Sequence, residues 1–323
     1  MNQKIVIAVD QGNSNIKTPG HVFPSGYRES GHLPNMGADV LSYEGKEYTP
    51  ISKRMAQKDD KTKDEDYFRL TLIAIAKELT SNMDAFLGKP AGECIEVELL
   101  VGLPPLHCKE MGARFADYFK RQGKPISFMF NNVPMSIKIT DVHVYPQAFA
   151  AAITAREHFK NARTVNIVDI GGYTVDLLQL TNMQPDMSVC TSLYHGTNTM
   201  FHRINERIRA KGEKNIPDAL IEDVLLGNVP FSRDRSYERI DLIGASAKQF
   251  AYELISEVSQ YGLDLTENMT VFVGGGSILL RTHIIETGLI AKPIFVDNVH
   301  ANVEGYKLLY KNRSAARLQR TQP

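Results

Sequence analysis

Asp10 and Asp169 each end an apolar run, and each is followed two residues later by glycine and then by hydroxyl side chains. The first stretch reads Asp10-Gln11-Gly12-Asn13-Ser14-Asn15, with Lys17 beyond; the second reads Asp169-Ile170-Gly171-Gly172-Tyr173-Thr174, with Asp176 beyond. Gly274-Gly275-Gly276-Ser277 and Gln147, just after Pro146, complete the set. Glycines let backbone N–H groups reach phosphate oxygens that a Cβ would hold off. Two carboxylates facing a polyphosphate would repel it unless a cation stood between them. Asp10 and Asp169 therefore imply Mg²⁺, held through its waters because that ion dehydrates reluctantly. Lys17 can neutralise a phosphate as a point charge. Gln147 can orient an attacking water, and phosphoryl transfer rests on position and charge stabilisation more than on a strong base.

These residues must be held by strand ends. Val165 to Leu178 reads as strand, tight turn, strand, and Ile5 to Lys17 repeats the plan half a chain length earlier. One hairpin used twice implies two similar halves facing something between them, with glycines and acids where open α/β sheets bind ligands. Between the hairpins, Thr18 to Tyr48 reads as irregular strands and loops, and Asp59 to Asp66 as a solvated, mixed-charge loop or helix entry. Tyr67 to Leu79 has the spacing of an amphipathic helix. Ile95 to Leu103 reads as a buried strand stopped by Pro104-Pro105, followed by a helix over Lys109 to Gln122 and two strand runs between Pro125 and Val144. Pro146 suits the first turn of a helix, which would put Gln147 at a helix N-terminus.

The second half continues with a strand over Ser188 to Tyr194 and a helix from Thr199 to Lys211. The Gly196-Thr197-Asn198 start of that helix is a further candidate anion site. Helices follow over Ile216 to Gly227 and Asp241 to Gln260, then a strand over Thr270 to Val273 leading into the glycine run. A helix over Ile278 to Gly288, a strand over Ile294 to Val296, a helix over Asn302 to Tyr310 and a frayed basic tail, Lys311 to Pro323, close the chain.

The chain has 323 residues, enough for two domains with separate cores. A formal net charge of zero argues against general nucleic-acid or membrane-surface binding. There is no signal-peptide plan and no apolar run of membrane-spanning length. Cys94, Cys108 and Cys190 lie far apart without metal-ligand spacing, which suits core thiols in a reducing cytoplasm. The sequence contains no G-x-x-x-x-G-K-[ST], H-E-x-x-H, C-x-x-C or G-x-S-x-G motif.

In their order along the chain, these motifs resemble those of the actin-fold ATPases. The Asp10 to Lys17 stretch resembles phosphate loop one, Gln147 the first connecting helix, Asp169 to Asp176 phosphate loop two, and Gly274 to Gly276 the adenosine motif. Asn298 to Tyr306 (NVHANVEGY) resembles the second connecting segment of plasmid and archaeal actin-like proteins, which points to the ParM-type branch. One departure stands out: the best-known plasmid members carry Glu where this chain has Gln147, whereas actin carries Gln.

The resemblance implies an α/β, actin-like (ribonuclease H-like, duplicated) two-domain ATPase with a central nucleotide cleft. Domain I would span residues 1–158, with the C-terminal helix 298–323 packing back on it. Domain II would span 159–297, with a small subdomain at about 196–265. ATP or GTP would bind with Mg²⁺. Asp10 and Asp169 would organise the metal's waters, with Gln147 completing the catalytic set. Gly12, Asn13, Ser14, Asn15 and Lys17, with Gly171, Gly172, Tyr173 and Thr174, would surround the phosphates. Gly196 would approach the ribose, and Gly274, Gly275, Gly276 and Ser277 would border the nucleoside. On the adenine side, Glu206 and Glu222 are the candidates.

The same resemblance implies nucleotide-dependent filaments of the protein itself. A small DNA-binding adaptor would link them to plasmid centromere DNA, without direct nucleic-acid or membrane binding. Two other readings share the hairpins. A sugar kinase would need a catalytic Asp in an apolar-flanked sugar pocket; Asp141 and Asp176 are the only acids to nominate, and neither sits in a convincing setting. A chaperone-like or MreB- or FtsA-like protein would be expected to carry a peptide-binding extension or a membrane helix, which the sequence lacks.

Overall fold

The computed structural model describes residues 4–30, 37–51, 58, 60–81, 93–228 and 236–320. Residues 31–36, Asp59 and residues 321–323, which belong to stretches read above as loop or tail, lie outside it. The chain divides into two compact units, Met1–Ala150 with His300–Pro323, and Ala151–Val299.

The first unit is built on a nine-stranded sheet. Its strands are β1 (Ile5–Gln11), β2 (Asn15–Lys17), β3 (Val22–Pro24), β4 (Tyr27–Ser30), β5 (Leu41–Tyr43), β6 (Lys46–Pro50), β7 (Ile95–Leu103), β8 (Ile126–Phe130) and β9 (Val133–Pro146), in the order β3-β2-β1-β7-β9-β8-β5-β6-β4. The second unit carries β10 (Thr164–Ile170), β11 (Val175–Thr181), β12 (Gln184–Leu193), β13 (Met269–Val273) and β14 (Lys292–Phe295), in the order β12-β11-β10-β13-β14. The same plan is present twice. Three strands joined by tight turns pair antiparallel, and the first of them then runs parallel to two later ones: β1 beside β7 beside β9, and β10 beside β13 beside β14. Parallel neighbours need long crossovers, which is where the helices lie.

Helix α1 (Asp66–Ser81) was expected to be amphipathic but is buried all round, with Leu70, Leu72, Ile73, Ala74, Ile75 and Ala76 shut off from solvent. It packs on β1, β2 and β5, and β5 is separated from β1 by β7, β9 and β8. The sheet therefore curls round the helix and covers both its sides. Helix α2 (Pro105–Lys120) starts four residues before the expected Lys109, with Pro105 in its first turn. The charged stretch before α1 is less solvated than expected. Lys61 is only 8% exposed, its ammonium donating to the Gln11 carbonyl and lying over the Tyr67 ring, while Arg114 pairs with Asp60 and Lys58 with Asp64 and Asp66.

The remaining helices are α3 (Phe149–Ile153), α4 (Thr197–Ala210), α5 (Asp218–Leu225), α6 (Ser236–Ser259), α7 (Gly275–Glu286) and α8 (Ala301–Arg320). α8 continues into the stretch expected to fray, as far as Arg320, because nothing from Tyr306 to Arg320 breaks it and Ala, Leu, Arg, Lys and Gln favour helix. It packs on β1 and β7, with Val303 and Tyr306 fully buried. No helix among the described residues is long and apolar enough to cross a membrane.

Farther along α8, the Tyr310 hydroxyl donates to Glu98 on β7, and this bond holds the Glu98 carboxyl below its ordinary 4.5. A carboxyl lowered in the folded state adds stability above its unfolded value, and that stability disappears as pH falls through the folded value. Tyr310→Phe should therefore destabilise the protein near pH 7, with the difference from the unaltered chain shrinking as pH falls below 4.5. Urea unfolding at a series of pH values measures it; a pH-independent difference would refute the attribution.

Candidate functional site

In the first unit the site is built on the end of β1. Asp10 and Lys17 are direct cross-strand partners in the β1–β2 hairpin, so their side chains share one face. The Asp10 side chain is 3% exposed. Gln147 Nε2 donates to its Oδ1 at 2.7 Å, Asn302 Nδ2 donates to its Oδ2 at 3.4 Å, and Lys17 Nζ lies 3.8 Å from Oδ2. Two neutral amides and one ammonium thus compensate a charge that would otherwise be costly to bury.

Gln147 arrives there by a route the sequence did not suggest. β9 runs through Pro146, still in register with Leu103, and the Gln147 N–H extends the ladder to the Leu103 carbonyl at 2.8 Å. Ala148 then takes a left-handed conformation, φ 56°, and α3 begins at Phe149. Pro146 is therefore the last residue of a strand and Gln147 sits in the turn ahead of the helix.

The turn between β1 and β2 is held from behind. Tyr67 hydroxyl donates to Asn13 Oδ1 at 2.9 Å, Ser25 Oγ to the Asn13 carbonyl at 2.5 Å and the Ser25 N–H to the Ser14 carbonyl at 3.1 Å. Asn13 and Asn15 are half-buried, and the Gly12 α-carbon faces the Asn15 carbonyl. The buried Ser14 hydroxyl has no hydrogen-bond partner among the described residues, and neither has the Asn302 carbonyl Oδ1. Tyr67, Ser25, Asn302, Lys61 and His300, whose Nδ1 donates to the Thr18 carbonyl at 2.7 Å, are supporting residues that motif reading missed. Asn302 and His300 lie within the Asn298 to Tyr306 stretch, where only the overall pattern gave a signal; nothing in the sequence distinguishes Lys61 from the charges around it.

In the second unit the corresponding cross-strand pair in the β10–β11 hairpin is Asp169 and Asp176. The Gly171 N–H closes the turn on the Thr174 carbonyl at 2.9 Å. Gly196, Thr197 and Asn198, whose amides were offered above to an anion, donate instead to the carbonyls of Tyr173 at 3.1 Å, Gly171 at 3.0 Å and Gly172 at 2.8 Å. The start of α4 thus grips the turn, because those carbonyls already satisfy its first-turn N–H groups. Tyr173 and Thr174 are half-buried.

α7 starts within the glycine run, three residues before the expected Ile278. Gly274, at φ 87°, brings the chain against Asp169: a Cβ there would stand 2.2 Å from Asp169 Oδ1 and 2.6 Å from the Ile170 carbonyl. Gly275 has open space where a side chain would be, whereas Gly276 presses on Ile170 and Thr197. Ser277 is fully buried, its hydroxyl donating back to the Gly274 carbonyl at 2.7 Å.

Of the adenine-side candidates, Glu206 pairs with His202 at 3.2 Å and lines a groove of about 530 Å³ between α4 and α6, and Glu222 is half-buried on α5. The two acids nominated for a sugar kinase lie in different surroundings. Asp141 is half exposed and lies 3.8 Å from Lys120 and 3.6 Å from His143, while Asp176 is buried and accepts from Ser192 Oγ at 2.5 Å. Among the described residues no group of three or more His, Cys, Asp and Glu side chains could hold a metal directly.

The family profile described as archaeal actin homologue MreB-like, C-terminal, matches residues 167–286. No curated protein sequence matches the chain. Among solved structures, the archaeal actin homolog Ta0583 superposes with a TM-score of 0.74 at 17% identity, covering 95% of this chain and 99% of that one. It has also been solved as a complex with ADP. Actin-like protein Alp7A gives a TM-score of 0.74 at 15% identity, with both chains covered completely (100% each). A 15-stranded ParM filament from Clostridium botulinum gives 0.71 at 17% identity, covering 97% of this chain and all (100%) of the other.

Proposed function

We propose that this chain, which has the actin fold and is ParM-like, binds a nucleoside triphosphate with Mg²⁺, assembles into filaments and hydrolyses the nucleotide within them. The observation that carries the reading is the Ser14 hydroxyl, buried in the turn beyond Asp10 and left without a partner among the described residues. A buried unpaired hydroxyl costs about 1–3 kcal/mol, which a phosphate oxygen accepting from it would relieve. The ADP complex of Ta0583 supports a nucleotide as that ligand. We keep the two-domain division at 1–158 with 298–323, and 159–297, each domain carrying one of the hairpins.

The residues fit a hydrated divalent cation. The Asn302 Oδ1 is a buried acceptor lacking a donor among the described residues, and a coordinated water would supply one. When bound, Mg²⁺ would neutralise the phosphates' charge, with Asp10 and Asp169 holding its waters. Lys17 would move its charge from Asp10 to a phosphate. Gln147, its amide nitrogen held by Asp10, would offer its carbonyl oxygen to the attacking water. Gly196 and the Gly274 to Ser277 segment would border the ribose and base.

Self-assembly is supported by the filament structures among the similar proteins. One asymmetric head-to-tail contact repeated without closure gives a fibre. We extend the reading to plasmid segregation in the cytoplasm through a DNA-binding adaptor protein. The test is sedimentation and light scattering at tens of micromolar protein with ATP, GTP, ADP or no nucleotide. Polymer that appears with a triphosphate and decays as it is hydrolysed is expected. Absence of nucleotide-dependent pelleting would remove the filament reading.

A further inference from the structure

Asn302 stands at the start of α8, and the elements around it fix its place closely. His300 Nδ1 donates to the Thr18 carbonyl, next to Lys17, at 2.7 Å. Gly305 presses on the Ala150 main chain, and Tyr306 stacks on Tyr145 with ring centroids 5.7 Å apart. From this clamped turn, the Asn302 amide nitrogen reaches Asp10 Oδ2 at 3.4 Å.

Asp10 also decides which way the amide points, since a flipped Asn302 would set a carbonyl oxygen against a carboxylate oxygen. The buried, unpartnered atom is therefore an acceptor. What it lacks is a donor, so it selects against a bare phosphate oxygen and for a water O–H. We propose that Asn302 is a positioning residue of this half-site, fixing the plane of the Asp10 carboxylate and accepting a hydrogen bond from a water of the divalent cation's shell. This rests on the function proposed above and adds a residue to its cation site. Gln147 and Asn302 then act as a pair: each donates to one oxygen of Asp10, leaving the remaining lone pairs for coordinated water.

The test measures affinity for a fluorescent ADP analogue across a Mg²⁺ series and in EDTA, without any turnover. Replacing residues that orient metal ligands typically costs 10–100-fold in metal affinity. Asn302→Ala should raise the Mg²⁺ concentration for half-maximal tightening at least about tenfold and leave the affinity in EDTA within about twofold. An unchanged Mg²⁺ midpoint overturns the inference, as does an equal loss with and without Mg²⁺, which is the mark of a merely structural residue. Should Asn302→Ala fail to fold, the isosteric Asn302→Asp supplies a second reading. It sets a carboxylate beside Asp10, so Mg²⁺ alone should raise its melting temperature more than it raises that of the unaltered protein. An equal or smaller rise overturns the proposal. If the unaltered protein binds no nucleotide, the proposed function falls first and this inference with it; if it binds with Mg²⁺ dependence and Asn302→Ala matches it, only this inference falls.

Discussion

Alanine at Gly305 should destabilise the unit formed by residues 1–150 and 300–323 by at least about 3 kcal/mol, the upper end of the range for overpacked cores. A Cβ at that position would lie 1.9 Å from the Ala150 carbonyl oxygen and 2.3 Å from its carbon. Both are main-chain atoms, so no rotamer change relieves the clash; either α8 or the α3 start must move. α8 cannot move cheaply, because the His300 bond to Thr18 and the buried Tyr306 pin the same turns. Gly112 within α2 is the matched control: nothing lies within 4 Å of its added Cβ, and Ala is the better helix former, so Gly112→Ala should be neutral or mildly stabilising. Urea unfolding followed by circular dichroism would show a lower midpoint for Gly305→Ala at an unchanged slope. A midpoint equal to that of the unaltered protein would mean that α8 and α3 are not packed as described.

Asp169→Ala should lower Mg²⁺-dependent nucleotide hydrolysis by about 10²-fold or more, the scale on which removal of one electrostatic stabiliser is felt. A Cβ at Gly274 would meet this carboxylate, and the turn beyond it is closed by bonds of other residues, the Gly171 N–H to the Thr174 carbonyl and the α4 amides, which Asp169→Ala does not remove. Gln147→Ala should separate binding from chemistry. It removes a donor from Asp10 and the group assigned to the attacking water, so hydrolysis slows by about 10–10²-fold, short of the 10²–10⁴ a true general base supplies, while nucleotide affinity stays within severalfold. Phosphate release in single-turnover conditions reads the first quantity, and a fluorescent nucleotide reads the second. Normal turnover in Asp169→Ala would remove the metal assignment, and unchanged turnover in Gln147→Ala would leave the water without its positioning residue.

The two hairpins were legible in the sequence because each is local: an apolar run, an acid, a glycine turn and a second run specify strand, turn and strand with no help from afar. Their spacing half a chain apart gave the duplication, which the two sheets repeat as three antiparallel strands followed by two parallel ones. α1 was read as a helix for the same local reason. Its burial all round was not legible, since that depends on a sheet curling to reach it from β5. Gln147 was misplaced by a local rule, Pro at the first turn of a helix; β7 offered β9 a partner up to Pro146, and the ladder won. The end of α8 was misjudged because composition alone does not locate where a helix stops.

The sequence by itself determined the acids, the glycine turns, the order of the motifs and the fold class, all of which are properties of short stretches. Only the tertiary structure decided which side chains share Asp10. Gln147 and Asn302 reach it from 137 and 292 residues away, and no periodicity encodes a contact between a strand end, a turn and a helix start that meet only in space. It also decided that the amides opening α4 are occupied and that, among the described residues, the Ser14 hydroxyl and the Asn302 carbonyl oxygen have no partner. Hydrogen-bond satisfaction is a sum over every neighbour in space, and a linear sequence names only the neighbours along the chain.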